Sequence, residues 1–146
     1  MRGRMHHLDL TVSDPDKARP LYDLVLAHMG YREVDRKADG GTEWDMIDAP
    51  FMSIGIVPAK GANAQRGHDR YSPGLHHVAW HANDRADVDA LYAKLVAFGA
   101  TILDAPAEYP QYNPRGYYAV FFADPDGLKL EYVWTQPKQA ERTQHA

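Results

Sequence analysis

The 146-residue sequence contains no cysteine, which excludes disulfide frameworks, thiolate metal sites and cysteine nucleophiles. It lacks the run of roughly 18–20 apolar residues that is needed to cross a bilayer, and its N-terminus, MRGRMHHLDL, lacks the apolar stretch of a signal peptide. Its 16 basic residues are outnumbered by 20 acidic ones, so no basic surface for nucleic acid or an anionic membrane is expected. These absences favour a cytoplasmic protein.

What the sequence does contain is an internal duplication. The segment HHLDLTVSD, which begins at His6, lines up with HHVAWHAND, which begins at His76, and the pair Leu21-Tyr22 lines up with Leu91-Tyr92 at the same spacing. Two copies are too few for a solenoid, so we expect two similar modules packed together. We place them at residues 1–66 and 67–135, followed by a polar C-terminal tail at 136–146.

Each module is predicted to run strand, helix and three further strands, which is an α+β arrangement. The predicted strands, bounded by turn residues, are 5–12, 31–36, 42–47 and 52–57 in module one, and 75–82, 101–105, 117–123 and 128–134 in module two. Asp14 is the expected N-cap of the first helix, and Gly99 is the expected terminator of the second.

Strand alternation assigns the candidate functional side chains to a face. The apolar residues of the first and last strands are expected to pack under the helices, which leaves His7, His77 and Glu131 on open faces. A four-residue hairpin loop at 124–127 would pair Ala123 with Leu128 and therefore place Tyr118 on the face of Glu131. The same counting in module one pairs Trp44 with Gly55.

Two imidazoles and one carboxylate suit a divalent metal that keeps free positions for substrate or water. Alternation alone does not bring the three side chains together. Each of them, taken singly, is better explained as a surface or hydrogen-bonded residue, and it is the duplication and the shared face that favour a site for the set.

The sequence resembles the vicinal oxygen chelate superfamily, which includes glyoxalase I, extradiol dioxygenases, and fosfomycin- and bleomycin-resistance proteins. The resemblance covers residues 5–134 and rests on MHHLDLTVSD, GLHHVAWHAND and YYAVFFADPDGLKLEYV. It implies two paired βαβββ modules that form a cupped mixed sheet with helices on the outer face. It also implies a homodimer.

The resemblance further implies that His7, His77 and Glu131 bind a divalent transition metal, with Fe, Mn, Ni, Co and Zn all open. Gly55 stands where a fourth ligand would lie. The implied function is a metal-dependent enzyme acting on a small oxygenated substrate, as a lyase or isomerase, a dioxygenase or a transferase. The alternative is a metal-free binding protein of the bleomycin-resistance type. The ligands come either from one chain or from two.

Six further residues are candidates around this site: Asp9, Trp44, His81, Tyr112, Arg115 and Tyr118. His81 is a candidate general base, and Tyr118 is a candidate hydrogen-bond donor to a substrate oxygen. Asp9 could orient a ligand or accept a proton, and Gly55 either leaves room for Trp44 or opens a slot beside it for a flat substrate. Tyr112 and Arg115 belong to a segment, 108–116, that we expect at the mouth of the site. Each also has an ordinary structural explanation.

Overall fold

A computed structural model describes residues 2–48 and 50–137, and it confirms the α+β class with two βαβββ modules. The first module comprises β1 (His7–Val12), α1 (Pro15–His28), β2 (Arg32–Arg36), β3 (Thr42–Met46) and β4 (Met52–Pro58). A short 3-10 helix (Gly61–Gln65) follows, and then β5 (His77–His81), α2 (Arg85–Phe98), β6 (Thr101–Glu108), β7 (Tyr117–Ala123) and β8 (Lys129–Thr135). Most of the predicted tail, from 138 onward, lies outside the described residues.

The start of α1 and the end of α2 lie where the local sequence predicts them. The Asp14 carboxylate accepts a hydrogen bond from the Asp16 N–H at 3.0 Å, and Pro15 opens α1. Gly99 ends α2 with a φ of 84°, a left-handed conformation that favours glycine. Neither helix, among the described residues, is long and apolar enough to span a membrane.

Each module folds its strands into a four-stranded sheet with the same topology. The strand orders are β1-β4-β3-β2 and β5-β8-β7-β6. The pairs β1–β4 and β5–β8 are parallel, and the other pairs are antiparallel. The first and last strands of each module are therefore neighbours, which is why residues far apart in sequence can share a site.

Both helices pack on one face of their own sheet and against each other. One hydrophobic cluster joins the modules, because it includes residues of α1, such as Val25 and Leu26, and residues of α2, such as Leu91 and Leu95, all fully buried. The helix-facing side of both sheets is therefore buried within the chain. The opposite side of each sheet, the open face, carries the three predicted metal ligands, His7, His77 and Glu131.

Buried polar contacts fix the two modules to each other. The Tyr22 hydroxyl donates to Oδ2 of Asp124 at 2.8 Å, so α1 holds the 124–127 turn of the second module. Nε2 of His28, at the end of α1, lies 2.8 Å from Oδ1 of Asp87 on α2. Within the second module, the Tyr132 hydroxyl donates to Oδ2 of Asp87 at 2.7 Å and holds that carboxylate in place. The open faces are held in a defined relative orientation by these bonds.

The predicted hairpin registers are wrong by one residue in both modules. Ala123 pairs with Lys129 rather than Leu128, because the Asp124 side chain accepts the Leu128 N–H at 2.9 Å and keeps that residue in the loop. In module one, Trp44 pairs with Ile54 rather than Gly55. Since strand side chains alternate, a one-residue slip moves each partner to the other face.

Candidate functional site

His77 and Glu131 meet on the open face of the second sheet. Their strands β5 and β8 are parallel neighbours, with His77 opposite Lys129 and Ala79 opposite Glu131. Nε2 of His77 lies 3.1 Å from Oε2 of Glu131. The His77 side chain is 34% exposed and that of Glu131 only 2%, so the pair joins a buried carboxylate to a solvent-accessible imidazole.

The second carboxylate oxygen of Glu131 accepts a hydrogen bond from the Tyr117 hydroxyl. Burial first, and this hydrogen bond second, raise the pKa of Tyr117, which therefore stays a neutral donor at physiological pH. The bond occupies Oε1 and leaves Oε2 directed at His77. Tyr117 is a residue that sequence reasoning missed, because the slipped register assigned its place to Tyr118.

The structure places Tyr118 on the opposite face of β7, against α2. Its hydroxyl donates to Oδ1 of Asp89 at 2.7 Å. This hydrogen bond first, and burial second, raise the pKa of Tyr118 to about 12. The prediction that Tyr118 shares a face with Glu131 is therefore wrong. Tyr118 connects β7 to α2 and does not line cleft two.

A cleft of about 490 Å³, which we call cleft two, opens above the His77–Glu131 pair. Its walls carry three aromatic rings, those of Tyr112, Tyr117 and Phe121, together with Gln111, Lys129 and His76. Nδ1 of His76 lies 2.7 Å from Nδ1 of His77. Desolvation and the nearby charges of His77 and Lys129 lower the pKa of His76, which favours a neutral ring beside His77.

The predicted mouth segment lies at the edge of cleft two, and its two candidate residues differ. Tyr112 lines the cleft with its side chain 56% exposed, whereas the Arg115 guanidinium donates to the carbonyl of Pro137. Arg115 is not among the residues that line the cleft. Its position supports a role in anchoring the segment rather than in contacting a ligand.

The open face of module one forms a second concavity, cleft one, of about 300 Å³. His7 and Asp9 lie on this face as predicted, because Leu10 and Val12 point into the core. Nδ1 of His7 lies 3.0 Å from Nδ1 of His6, which repeats the His76–His77 contact. Cleft one is therefore the counterpart of cleft two in the duplicated half.

Gly55 occupies the position that Glu131 occupies in module two. It lies between Asp9 on β1 and Glu43 on β3, and a Cβ atom at Gly55 would come within 2.3 Å of Oδ1 of Asp9. The glycine thus makes room for Asp9, not for Trp44. Glu43, which sequence reasoning also missed, accepts a hydrogen bond from the Ser53 hydroxyl at 3.0 Å on the same face.

Trp44 lies in the core and not at the open face. Its side chain is 2% exposed, and its indole N–H donates to Oδ1 of Asp23 on α1 at 2.9 Å. The expectation that Trp44 borders a substrate slot beside Gly55 is wrong, because the one-residue error in the predicted register assigned its side chain to the open face. His81 ends β5 and is exposed, outside the lining of cleft two.

The structure brings together two of the three predicted metal ligands. His77 and Glu131 are in contact in cleft two, whereas His7 lines cleft one. Within residues 2–48 and 50–137 of a single chain, no three His, Cys, Asp or Glu side chains are grouped closely enough to hold a metal ion. A three-ligand site would need the His77–Glu131 pair and a donor from elsewhere.

The His77–Glu131 pair itself fits a metal. Imidazole nitrogen and carboxylate oxygen are donors for Fe, Mn, Co, Ni and Zn. Two such ligands, each about 2.1 Å from a metal and at right angles, lie about 3.0 Å apart, and the two atoms here are 3.1 Å apart. Tyr117 on the free carboxylate oxygen supplies the outer contact that usually orients a ligating carboxylate.

Comparisons with known proteins agree with this architecture. Residues 4–132 match the family model described as the Glyoxalase/Bleomycin resistance protein/Dioxygenase superfamily. The uncharacterized protein YqjT of Bacillus subtilis (strain 168) is 36% identical over 129 residues, which cover 88% of this chain and 97% of YqjT.

Two solved structures illustrate the likeness in three dimensions. A candidate glyoxalase from Bacillus halodurans matches with a TM-score of 0.76 and 27% identity, over 92% of this chain and 97% of that one. Lactoylglutathione lyase from Agrobacterium tumefaciens matches with a TM-score of 0.61 and 17% identity, over 90% of this chain and 93% of that one. The second likeness concerns the fold alone.

Proposed function

Because the chain belongs to the glyoxalase/bleomycin resistance protein/dioxygenase superfamily, we propose that it is a metal-dependent enzyme acting on a small molecule through two neighbouring oxygen atoms. The observation that carries this proposal is the 3.1 Å approach of His77 Nε2 to Oε2 of Glu131 at the floor of cleft two. A buried carboxylate with no Lys or Arg partner among the described residues is costly unless a cation compensates it.

His77 and Glu131 would hold the metal together with His7. When bound, a divalent Fe, Mn, Ni, Co or Zn ion would act as a Lewis acid toward adjacent substrate oxygens. The side chains of the chain have separate tasks. Tyr117 fixes the orientation of Glu131, while His81 and Asp9 are the candidate proton acceptors that lie further along the strands of His77 and His7.

We assign the complete site to two chains. The helix-facing sides of both sheets are buried in the shared core, while both open faces remain uncovered within one chain. If cleft one of one subunit faces cleft two of its partner, a twofold homodimer contains two identical sites, each combining His7 of one subunit with His77 and Glu131 of the other.

The charges of the two open faces support this pairing. Cleft one is lined by three carboxylates, those of Asp9, Asp35 and Glu43, and by one ammonium group, that of Lys37. In cleft two the Glu131 carboxylate is already contacted by His77 and Tyr117. The Lys129 ammonium of the same cleft lies 4.3 Å from the centre of the Phe121 ring, and no carboxylate among the described residues forms an ion pair with it. Opposite charges on facing surfaces favour association in one orientation.

The test is elemental analysis of the protein purified without added metal. We expect about one transition metal per chain in the wild type, and its loss in His7→Ala, His77→Ala and Glu131→Gln. His81→Ala is the matched control, because it removes an imidazole from the same strand as His77 but outside the ligand set. Metal content that is unchanged in Glu131→Gln would contradict the proposal.

A metal-free binding protein of the bleomycin-resistance type is the second candidate. The observation that favours it is the aromatic lining of cleft two, since such walls bind organic ligands without a metal. This function predicts a purified protein without metal, and ligand binding that chelators do not change. The same elemental analysis therefore separates the two candidates.

A further inference from the structure

Aromatic rings form a continuous wall from the mouth of cleft two to its floor. The rings of Tyr109 and Tyr112 are stacked, with centroids 5.6 Å apart and planes 14° apart. Tyr112 meets the edge of Tyr117 at 5.2 Å, and Tyr109 meets the edge of Phe121 at 5.4 Å. Tyr117 then reaches Glu131 through its hydroxyl, so the rings lead directly to the candidate metal ligands.

The wall is an independent apolar cluster on the open face. Ala119, Phe121 and Val133 are buried there with Tyr109 and Tyr117 packed around them, apart from the main core. Tyr112 lies at the edge of this cluster and remains 56% exposed. Its ring is stacked on Tyr109 and also contacts Tyr117, and its exposed part lines the cleft, where a ligand can reach it.

The segment that carries Tyr112 is rigidly anchored. Asn113 is 4% exposed, and its amide donates to Oγ1 of Thr135 at 3.0 Å and to the carbonyl of Gln136 at 2.9 Å. Gly116, with a φ of 140°, packs so closely on Trp134 that a Cβ atom would lie 2.9 Å from its ring. A fixed, half-exposed ring binds a ligand without the entropic cost of ordering a loop.

From this arrangement we infer that the ligand of cleft two carries a planar aromatic ring, which stacks on Tyr112 while its neighbouring oxygens point toward His77 and Glu131. The inference rests on the proposed function for the oxygens, but the ring site stands on the tyrosines alone. A flat ring suits this wall because offset-stacked and edge-to-face contacts between aromatic rings are favourable beyond their buried area. A saturated ring of equal size is puckered and gains only the burial of its surface.

The test compares two probes with the same charge and the same pair of oxygens. Salicylate has a planar ring, whereas the cyclohexane carboxylate that carries a hydroxyl on the neighbouring carbon has a saturated one. Dissociation constants are measured by calorimetry on the as-purified full chain, with metal content determined on the same samples. Tyr112→Ala removes the ring, Tyr112→Phe keeps it, and Phe98→Ala removes a half-exposed ring on α2 as a control.

We expect salicylate to bind roughly three- to tenfold more tightly than its saturated analogue. Most of this ratio should vanish in Tyr112→Ala, and it should persist in Tyr112→Phe and Phe98→Ala. Equal affinities in the wild type, an unchanged ratio in Tyr112→Ala, or no binding of salicylate would overturn the inference. A wild type that contains metal but binds the two probes equally refutes the ring site alone, whereas a metal-free wild type that retains the ratio refutes only the metal.

Discussion

Asp87 on α2 connects the two modules, and its replacement should lower the free energy of unfolding of the whole chain. Its carboxylate accepts three hydrogen bonds, from His28 Nε2 at 2.8 Å, from the Tyr132 hydroxyl at 2.7 Å and from the Asn83 N–H at 2.9 Å. Hydrogen bonds to a charged group contribute about 1.5–3 kcal/mol each. Because the Asp87 side chain is 18% exposed, we expect a total loss of about 3–5 kcal/mol in Asp87→Ala.

Asp89→Ala is the matched control on the same helix. Asp89 is exposed and accepts one hydrogen bond, from the Tyr118 hydroxyl, so its loss should cost about 1 kcal/mol or less. Urea unfolding at neutral pH measures both, as a shift of the midpoint with an unchanged slope. If the loss of unfolding free energy in Asp87→Ala is within about 1 kcal/mol of the loss in Asp89→Ala, the Asp87 contacts do not stabilise the packing of the two modules as proposed.

The contribution of Asp87 should also depend on pH in a defined direction. Burial opposes its ionisation, but the hydrogen bonds from Asn83, Tyr132 and His28 outweigh burial and hold the pKa of Asp87 below its ordinary value. A lowered pKa gives stability that is present above the pKa of the unfolded chain and is lost as the pH falls through that of the folded one. The difference in free energy of unfolding between wild type and Asp87→Ala should therefore become smaller in acid. A difference that becomes larger would show that the fold does not stabilise Asp87 as a carboxylate.

Three further substitutions probe the turn and the site. Gly116→Ala should cost about 1–3 kcal/mol from backbone strain at its φ of 140° and from contact with Trp134, which thermal unfolding would detect; wild-type stability would contradict the contact. Burial raises the pKa of Asp124, so the stability it contributes when protonated is lost as the pH rises. Asp124→Asn should therefore become more stable relative to the wild type as the pH rises above about 4, the ordinary pKa of an aspartate. Thermal unfolding would measure this, and a relative loss of stability would contradict it. Tyr117→Phe should keep its fold but bind metal about 10–100-fold more weakly in chelator competition, whereas unchanged affinity would exclude an orienting role toward Glu131.

The duplication and the strand faces could be predicted from sequence because both depend on local patterns. Alternation in β1 separates His7 and Asp9 from the buried Leu10 and Val12, and Asp14 caps the first helix as its sequence indicates. The resemblance to one superfamily, confirmed by the family match over residues 4–132, rests on these repeated segments.

The hairpin registers could not be predicted by counting residues in a turn. Asp124 accepts the Leu128 N–H with its side chain, and Gly127 has a φ of 84°; together they lengthen the loop by one residue. This one-residue change in loop length depends on a single side-chain hydrogen bond, yet it places Tyr117 instead of Tyr118 beside Glu131. Side chains on the third strand of each module, Trp44 on β3 and Tyr118 on β7, are therefore the ones that sequence reasoning assigned to the wrong face.

The grouping of ligands from different modules lay further beyond sequence reasoning. His77 and Glu131 meet because β5 and β8 are parallel neighbours, a relation that the repeated module pattern implies. The distance of His7 from that pair depends on how the modules pack, which Tyr22, Asp124 and Asp87 determine through contacts between the modules. No periodicity in the chain encodes these contacts.

The shared site is tested most directly by mixing two defective variants. His7→Ala and Glu131→Gln are unfolded together in equal amounts, refolded and analysed for metal. In a mixed dimer one site keeps His7 of one subunit with His77 and Glu131 of the other, so random pairing restores metal to about a quarter of the sites.

The matched control mixes His77→Ala with Glu131→Gln, whose lost ligands lie in the same cleft, so that every site in a mixed dimer stays defective. We expect recovery of about a quarter of the wild-type metal in the first mixture and none in the second. Metal that stays at background in both mixtures, with a wild type that binds it after the same refolding, would contradict a site built from two chains.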